Sequence, residues 1–531
     1  MTAKLWIRRA STVIACTAGL AIAHTASASP LFEETGGLFG TSGLNARFTG
    51  DDTSASYFNP GNLARAPNGI NVGFFTLHEG IGIKLHARDA ENVDIPSVAG
   101  LQFRDGTSFG GVFTTEELYR GQDCDDCLVP RPRQGAGSSG VTRNYATIGL
   151  TNRVIDNYLS AGIYAVLPLG QFTTTNAFYP DEREQYFSNS LHPELYGDRL
   201  TAPSIAIGVG SSPIPELSFG LAFTIALINT ANAGVFTKDA GDLDGKAVLG
   251  ARVGVVAKVA PHFSINYHPL PNLQFSAVVH SPSRFDIGLN FSNTLDTGNE
   301  QTATRTMVHD YNPWFFAFGG EYIADLGKYD LTVVGGLQIG LWSNYINRHN
   351  ERAGYEYEAE GRMTLHGGFG WRNTITPSIG LRFGELDHWS VGADYKYVAS
   401  PVPEQTGRTN YVDNNKQVAG LNVDYRFDAG PLRMGVGANF QGHFLKKRSH
   451  NKITQSPDQT RDQIHNPNSQ NYGHNINPDL VLDEVPDELV ERNTGDRPDR
   501  AQGLQTNNPG YPGYTSSGAL FGASIYLSLY Y

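Results

Sequence analysis

The sequence has little charge, almost no cysteine and, beyond its first 30 residues, no long apolar run. Only 17% of its 531 residues are Asp, Glu, Lys or Arg, too few to solvate the surfaces of the several soluble domains that this length would otherwise suggest. The formal charge of −12 argues against a nucleic-acid partner, which needs a basic face. No stretch after the leader approaches 18 apolar residues, so no spanning helix is expected. What is abundant is glycine (60), tyrosine (25) and phenylalanine (28), at a mean hydropathy of only −0.31. That combination suits a sheet that is apolar on one side only.

The first residues have the layout of an export signal. Lys4, Arg8 and Arg9 form a basic start, Ser11 to Ala23 an apolar stretch, and Ala26-Ser27-Ala28 a small-residue cleavage site. Residues 1–28 are therefore expected to be removed, leaving Ser29 first and moving the charge from −12 to −15. Cys16 follows Val13-Ile14-Ala15 as in a lipoprotein signal, but the apolar run continues past it and begins too close to Arg9. Arg8-Arg9 lacks the flanking residues of twin-arginine export. The remaining cysteines, Cys124 and Cys127 in GQDCDDCLVP, are expected to form a disulfide at a loop tip, since the compartment is oxidising. A metal or redox role for them lacks partner residues, and no metal or cofactor is expected.

The dominant pattern is a period of two. Leu217, Phe219, Leu221, Phe223, Ile225 and Leu227 alternate with Ser218, Gly220, Ala222, Thr224 and Ala226. Ile287, Leu289 and Phe291 alternate with Asp286, Gly288 and Asn290; Ile379, Leu381 and Phe383 with Ser378, Gly380 and Arg382; Val391, Ala393, Tyr395 and Tyr397 with Gly392, Asp394 and Lys396. Leu421 to Phe427 and Leu432 to Gln441 repeat the pattern, with Arg426 and Arg433 on the polar side. A soluble sandwich also alternates, but its polar faces meet water around a shared core. Charged residues opposite aromatic ones over hundreds of residues, behind an export signal, point to an all-β, closed antiparallel transmembrane barrel in a Gram-negative outer membrane.

Fourteen to seventeen strand-like segments follow Gly69, and an even count, 14, is expected. Phe521, Ala523, Ile525, Leu527, Leu529 and Tyr531 carry the alternation to the last residue, as suits a strand that the barrel-assembly machinery must recognise and close against the first. Trp314, Trp342, Tyr530 and Tyr531 are candidates for the interfacial aromatic girdles. Residues 116–143 and 446–515 read as long external loops, and residues 69–531 as the barrel.

Residues 29–68 are neither strand-like nor long enough for a domain, and are expected to fold into the lumen as a hatch, with a turn at Asn59-Pro60-Gly61. The stretch GTSGLNARFTGDDTSASYFNPGNLA, Gly40 to Ala64, resembles the N-terminal hatch signature of the long-chain fatty acid transporter (FadL/TodX) family of outer-membrane proteins. The resemblance covers most of the chain as architecture, but only the hatch signature is specific. Gly61 stands where the family has alanine. The resemblance implies a plugged 14-stranded barrel that captures hydrophobic compounds, long-chain fatty acids or aromatic hydrocarbons, and releases them by hatch movement, with no cofactor and no enzymatic step.

Leu38, Phe39, Phe48, Tyr57 and Phe58 are the candidate ligand contacts, or else they pack the plug on the wall. Asn59, Pro60 and Gly61 are the hinge or anchor. Arg382, Lys396, Arg426 and Arg433 face the lumen, where they either receive a carboxylate head group or pair with Asp394, Asp424 and other acids. Asp51 and Asp52 are placed to pair with lumen bases. Gly106-Thr107-Ser108-Phe109-Gly110 matches an esterase pattern without the helix it requires, and Asp239 to Gly245 resembles a calcium loop without its glutamate. The competing functions are a general porin, a surface-binding barrel and an outer-membrane phospholipase. A monomer is expected.

Overall fold

A computed structural model describes residues 30–38, 47–49, 52–85, 140–155, 158–170, 195–237, 247–294, 300–346, 353–357, 363–368, 370–405, 411–430, 432–451 and 513–531. Residues 1–28, Phe39, Asp51, the 106–110 and 239–245 matches, the Cys124–Cys127 pair and most of both long loops lie outside them.

Fourteen strands form a closed ring. They are β1 (Gly69–Leu85), β2 (Val141–Ile155), β3 (Leu159–Leu169), β4 (Ser204–Ile214), β5 (Leu217–Thr237), β6 (Ala247–Leu270) and β7 (Leu273–His280). The ring continues, with four strands outside it, through β10 (Phe315–Asp325), β11 (Asp330–Gly340), β14 (Thr374–Glu385), β15 (Trp389–Val398), β16 (Lys416–Ala429), β17 (Leu432–Asn451) and β18 (Gly513–Tyr530). Every neighbour in the ring is antiparallel. β18 closes on β1 from Gly69↔Tyr530 to Leu85↔Tyr514, so no edge is left to unpaired backbone.

The alternation is realised in the wall. On β6, Phe263, Ile265 and Tyr267 are exposed while His262, Ser264 and Asn266 are buried; on β16, Leu421, Val423 and Tyr425 are exposed while Asn422 and Asp424 are buried. Large apolar side chains thus form an outward belt, and small and polar ones face the lumen. β1 departs from the rule: its inward Phe75 and Leu77 are as apolar as its outward Val72 and Phe74, because the N-terminal segment contributes to an apolar core on its inner face. Ile525 is 64% exposed and lies five residues from the last paired residue of β18, about the mid-depth of a ~25 Å belt for a tilted strand. Ile525→Arg is expected to lower the unfolding free energy in lipid vesicles by about 2–4 kcal/mol, measured by urea titration.

Several features differ from the sequence expectation. The alternating Asp286 to Phe291 segment is not a wall strand. It belongs to a hairpin of β8 (Ser283–Thr294) and β9 (Glu300–Asn312), inserted between β7 and β10, which pair directly through Phe315↔His280. A period of two reports a strand with two unlike faces, not its place in the ring; β8 meets β5 only in a short parallel pairing, Val235↔Asn293 and Phe236↔Thr294. A two-stranded sheet, β12 (Ala353–Tyr357) with β13 (Met363–Gly368), also stands outside the ring. The 446–515 region is shorter as a loop than expected, since β17 runs to Asn451 and β18 begins at Gly513.

The connections after β2, β4, β6, β10, β14 and β16 are tight, and all lie at the end of the barrel that holds Gly69 and Tyr530. The long connections are at the other end. In outer-membrane barrels the tight end is periplasmic. Tyr267, Tyr322, Tyr425 and Tyr531 are exposed near the tight end and Trp314 near the other, as aromatic girdles. Trp342 is not in a girdle: it is buried on a 3-10 turn after β11, against Tyr311, Phe315 and Trp371.

Candidate functional site

The inward faces of the strands enclose the N-terminal segment. Its first element is the helix α1 (Pro30–Thr35), followed after a gap by the one-turn helix α2 (Ala55–Phe58) and a 3-10 turn over Pro60–Ala64. Leu31, Phe32, Tyr57 and Phe58 of this segment are fully buried and join the inward Phe75, Leu77, Tyr145, Tyr164 and Leu520 of the wall in one apolar core. The plug and the wall therefore share a core.

Near the periplasmic end the fit is polar. Asn59 Nδ2 donates to the Arg47 carbonyl at 2.8 Å and to Asn266 Oδ1 at 2.9 Å. Asn266 Nδ2 donates to Asn62 Oδ1 at 2.8 Å, and the Gly61 N–H to Ser264 Oγ at 2.7 Å. Gln274 Nε2 donates to the Phe48 carbonyl at 2.6 Å. Each such bond contributes on the order of 1 kcal/mol net, and together they fix the Asn59-Pro60-Gly61 turn to β6 and β7. A methyl group on Gly61 would lie 2.7 Å from the Asn266 amide nitrogen and 3.0 Å from Ser264 Oγ, so those side chains would have to shift to admit it.

Glycines in the wall make the seat. A Cβ on Gly220 would lie 2.2 Å from the Pro60 carbonyl carbon, and one on Gly336 would lie 2.1 Å from the Phe48 ring. The small-residue face of β5, read in the sequence as lumen-facing, is where the plug backbone touches the barrel. Of the remaining plug residues predicted from the sequence, Leu38 packs on Tyr526, and Phe58 lies under the Arg47 guanidinium at 5.3 Å. The Tyr57 hydroxyl donates to Glu33 at 2.9 Å, and its ring meets Phe32, His262 and His280. Asp52 accepts from the Ser54 N–H at 2.6 Å.

Farther towards the long-loop end a cavity of about 110 Å³ opens beside α1. Glu33, Glu34, Lys396, Lys416 and Asp413 line it, with Leu195, Phe315, Trp342 and Val398 supplying apolar surface. Lys416 Nζ is bonded to the Glu34 carboxylate, whose other oxygen is 3.1 Å from His443 Nδ1. Gln441 Nε2 donates to the Glu34 carbonyl at 2.8 Å. Burial alone would raise the Glu34 carboxyl; the Lys416 ammonium, with His443 and Lys396, outweighs it and holds the group well below the usual carboxylate range. Asp413, in the connection before β16, is pushed up to about 6 by burial, against the opposing pull of its Ser400 hydrogen bond and of Lys416.

Of the four lumen cations expected from the sequence, only Lys396 lines this cavity. Arg382 is buried in the wall, Arg426 is paired with Asp424 at 2.8 Å, and Arg433 is at the tight end, 3.7 Å from Asp387. Glu33, Glu34, Lys416, His443 and Asp413 were not legible as a site. Their one signal is the pair of acids in PLFEET, which an apolar lumen helix carries only if the wall supplies bases.

A closed antiparallel 14-stranded ring with an apolar outward belt and aromatic girdles is an integral outer-membrane β-barrel, here with its N-terminal segment packed inside. No family model matches the sequence, and no curated protein matches it. Among solved structures the chain is similar to a FadL homologue of Pseudomonas aeruginosa, at 14% identity over 91% of this chain and 94% of that one, with a TM-score of 0.47. It is also similar to the Pseudomonas putida toluene transporter TodX (10% identity, 93% and 99% covered, TM-score 0.42) and the Ralstonia pickettii toluene transporter TbuX (10%, 92% and 98%, 0.40).

Proposed function

We propose that this barrel carries hydrophobic compounds, long-chain fatty acids foremost, across the outer membrane, capturing them from the long-loop end and releasing them when residues 29–68 move as a hatch. The observation that supports this reading most is the cavity beside α1, where Lys396, Lys416 and apolar side chains meet a plug element, with Glu33, Glu34 and Asp413 also in the lining. Such a site suits an amphiphile with an anionic head and an apolar tail. A general porin needs no such seat for a plug, and no bond is made or broken in this account. Fatty acids and aromatic hydrocarbons both bind poorly to a lipopolysaccharide surface and gain from a greasy route through it. The test is uptake of labelled oleate and of labelled toluene by a transport-deficient outer membrane carrying the intact barrel or Asn59→Ala. Oleate uptake that falls several-fold with the variant, at equal barrel assembly, is expected; negligible oleate uptake by both would remove the fatty acid from the account.

The Asp413 carboxyl gives the site a pH dependence. Above about 6 it is ionised and adds a negative charge to the cavity; below that it is neutral. A long-chain alkyl sulfate, whose head group stays charged throughout, is therefore expected to bind roughly fivefold, or ~1 kcal/mol, more tightly at pH ~5 than at pH ~7.5. Asp413→Asn should flatten the profile, as read by equilibrium binding to the purified barrel.

A further inference from the structure

We infer that Glu34 is a built-in competitor for the ligand's head group: its carboxylate occupies the anion position on Lys416, and an incoming carboxylate takes that position and loosens α1 by releasing this one of its ties. The inference rests on the transport reading above and adds to it a specificity residue and the step that couples binding to plug movement.

Three observations carry it. First, Glu34, Lys416 and Lys396 line one cavity, so the internal carboxylate and a head group arriving there compete for the same ammonium groups. Second, the cavity is narrow, about 110 Å³, and Pro30, Glu33 and Glu34 of α1 form one side of it, so loosening α1 gives a head group more room. Gln338, Thr374, Lys396 and Lys416 around it belong to a closed hydrogen-bonded ring, whereas α1 is a six-residue helix held by Leu31 and Phe32 in the apolar core, by Glu33 on Arg47 and Tyr57, and by Glu34, whose side chain is on Lys416, near His443, and whose carbonyl is on Gln441. Third, the exchange is electrically balanced. One carboxylate replaces another on Lys416, and no buried charge is stranded provided Glu34 moves out with the helix. An uncharged ligand offers the lysines nothing in return, and leaves the Glu34 pair intact.

The test uses the full-length purified barrel in nanodiscs at pH ~8, with oleate and oleyl alcohol, which share a tail and differ in the head. In the wild type, oleate should speed amide exchange across Leu31–Gly36 and the alcohol should not. Glu34→Gln removes the competitor and should tighten oleate binding at least tenfold while changing alcohol binding less than twofold. Lys416→Gln should weaken oleate and leave the alcohol unchanged, which keeps the test decisive if the first variant assembles poorly. Oleate affinity that is unchanged or weaker in Glu34→Gln, with both ligands still binding, would overturn the competition while leaving transport in place. Failure of both ligands to bind any form would remove the transport reading and the inference with it.

Discussion

Gly220→Leu is expected to turn a plugged barrel into a leaky one. The first carbon of the new side chain would fall 2.2 Å from the Pro60 carbonyl carbon and 2.3 Å from the Gly61 nitrogen. Both are backbone atoms, so no rotamer change relieves the clash, and overpacking of this kind costs about 1–3 kcal/mol or more. The wall at this place is the β5 strand, paired on both sides with β4 and β6, so the plug yields before the barrel does. Displacing the turn also breaks the Gly61–Ser264 and Asn59–Asn266 bonds. Single-barrel conductance in a planar bilayer should rise several-fold over wild type, with the heat-modifiable mobility of an assembled barrel retained. Leu221→Ala, on the outward face next door, should leave the conductance unchanged. Wild-type conductance in Gly220→Leu would mean that the lumen is open by another route.

The second large effect is expected at Lys416. Lys416→Met leaves the buried Glu34 carboxylate without its nearest cation, and stranding one partner of a buried pair costs about 3–5 kcal/mol. The loss is local to α1, because the ring strands are held by their own ladders. Amide exchange over Leu31–Gly36 should therefore quicken by roughly 100-fold or more, a tenfold change corresponding to 1.4 kcal/mol. The double variant Glu34→Gln, Lys416→Met should recover most of that protection, since an amide can be buried with a hydrogen bond but without a charge. Equal exchange in the single and double variants would show that the pair does not hold the helix.

The wall was legible in the sequence because one rule governs it. Lipid on one side and plug or lumen on the other force a large and a small residue to alternate, and Leu217 to Leu227 states that rule in eleven residues. β1 and the β8–β9 hairpin show where the rule stops. Phe75 and Leu77 face inward because the plug makes that side apolar as well, and the hairpin alternates although it stands outside the ring. Within the plug, Asn59, Pro60 and Gly61 stand out by a local turn signal, and Asn59 and Gly61 bond to Asn266 and Ser264 of the wall. Glu34 and Lys416 are 382 positions apart, and nothing local to either distinguishes it from a solvated charge. Only closure of the ring brings them together. The same holds for Trp342, whose aromatic ring alone does not tell an interfacial belt from the buried cluster with Tyr311 and Trp371.

Transport as proposed above requires the plug to leave its seat. A Cβ on Gly162 would lie 2.5 Å from Ser56 Oγ, close enough for Ser56→Cys and Gly162→Cys to bridge plug and wall by a disulfide. In a Cys124→Ser, Cys127→Ser background, labelled oleate uptake should be lost in the oxidised barrel and return on reduction. Undiminished uptake with the bridge shown to be fully formed would contradict a moving hatch.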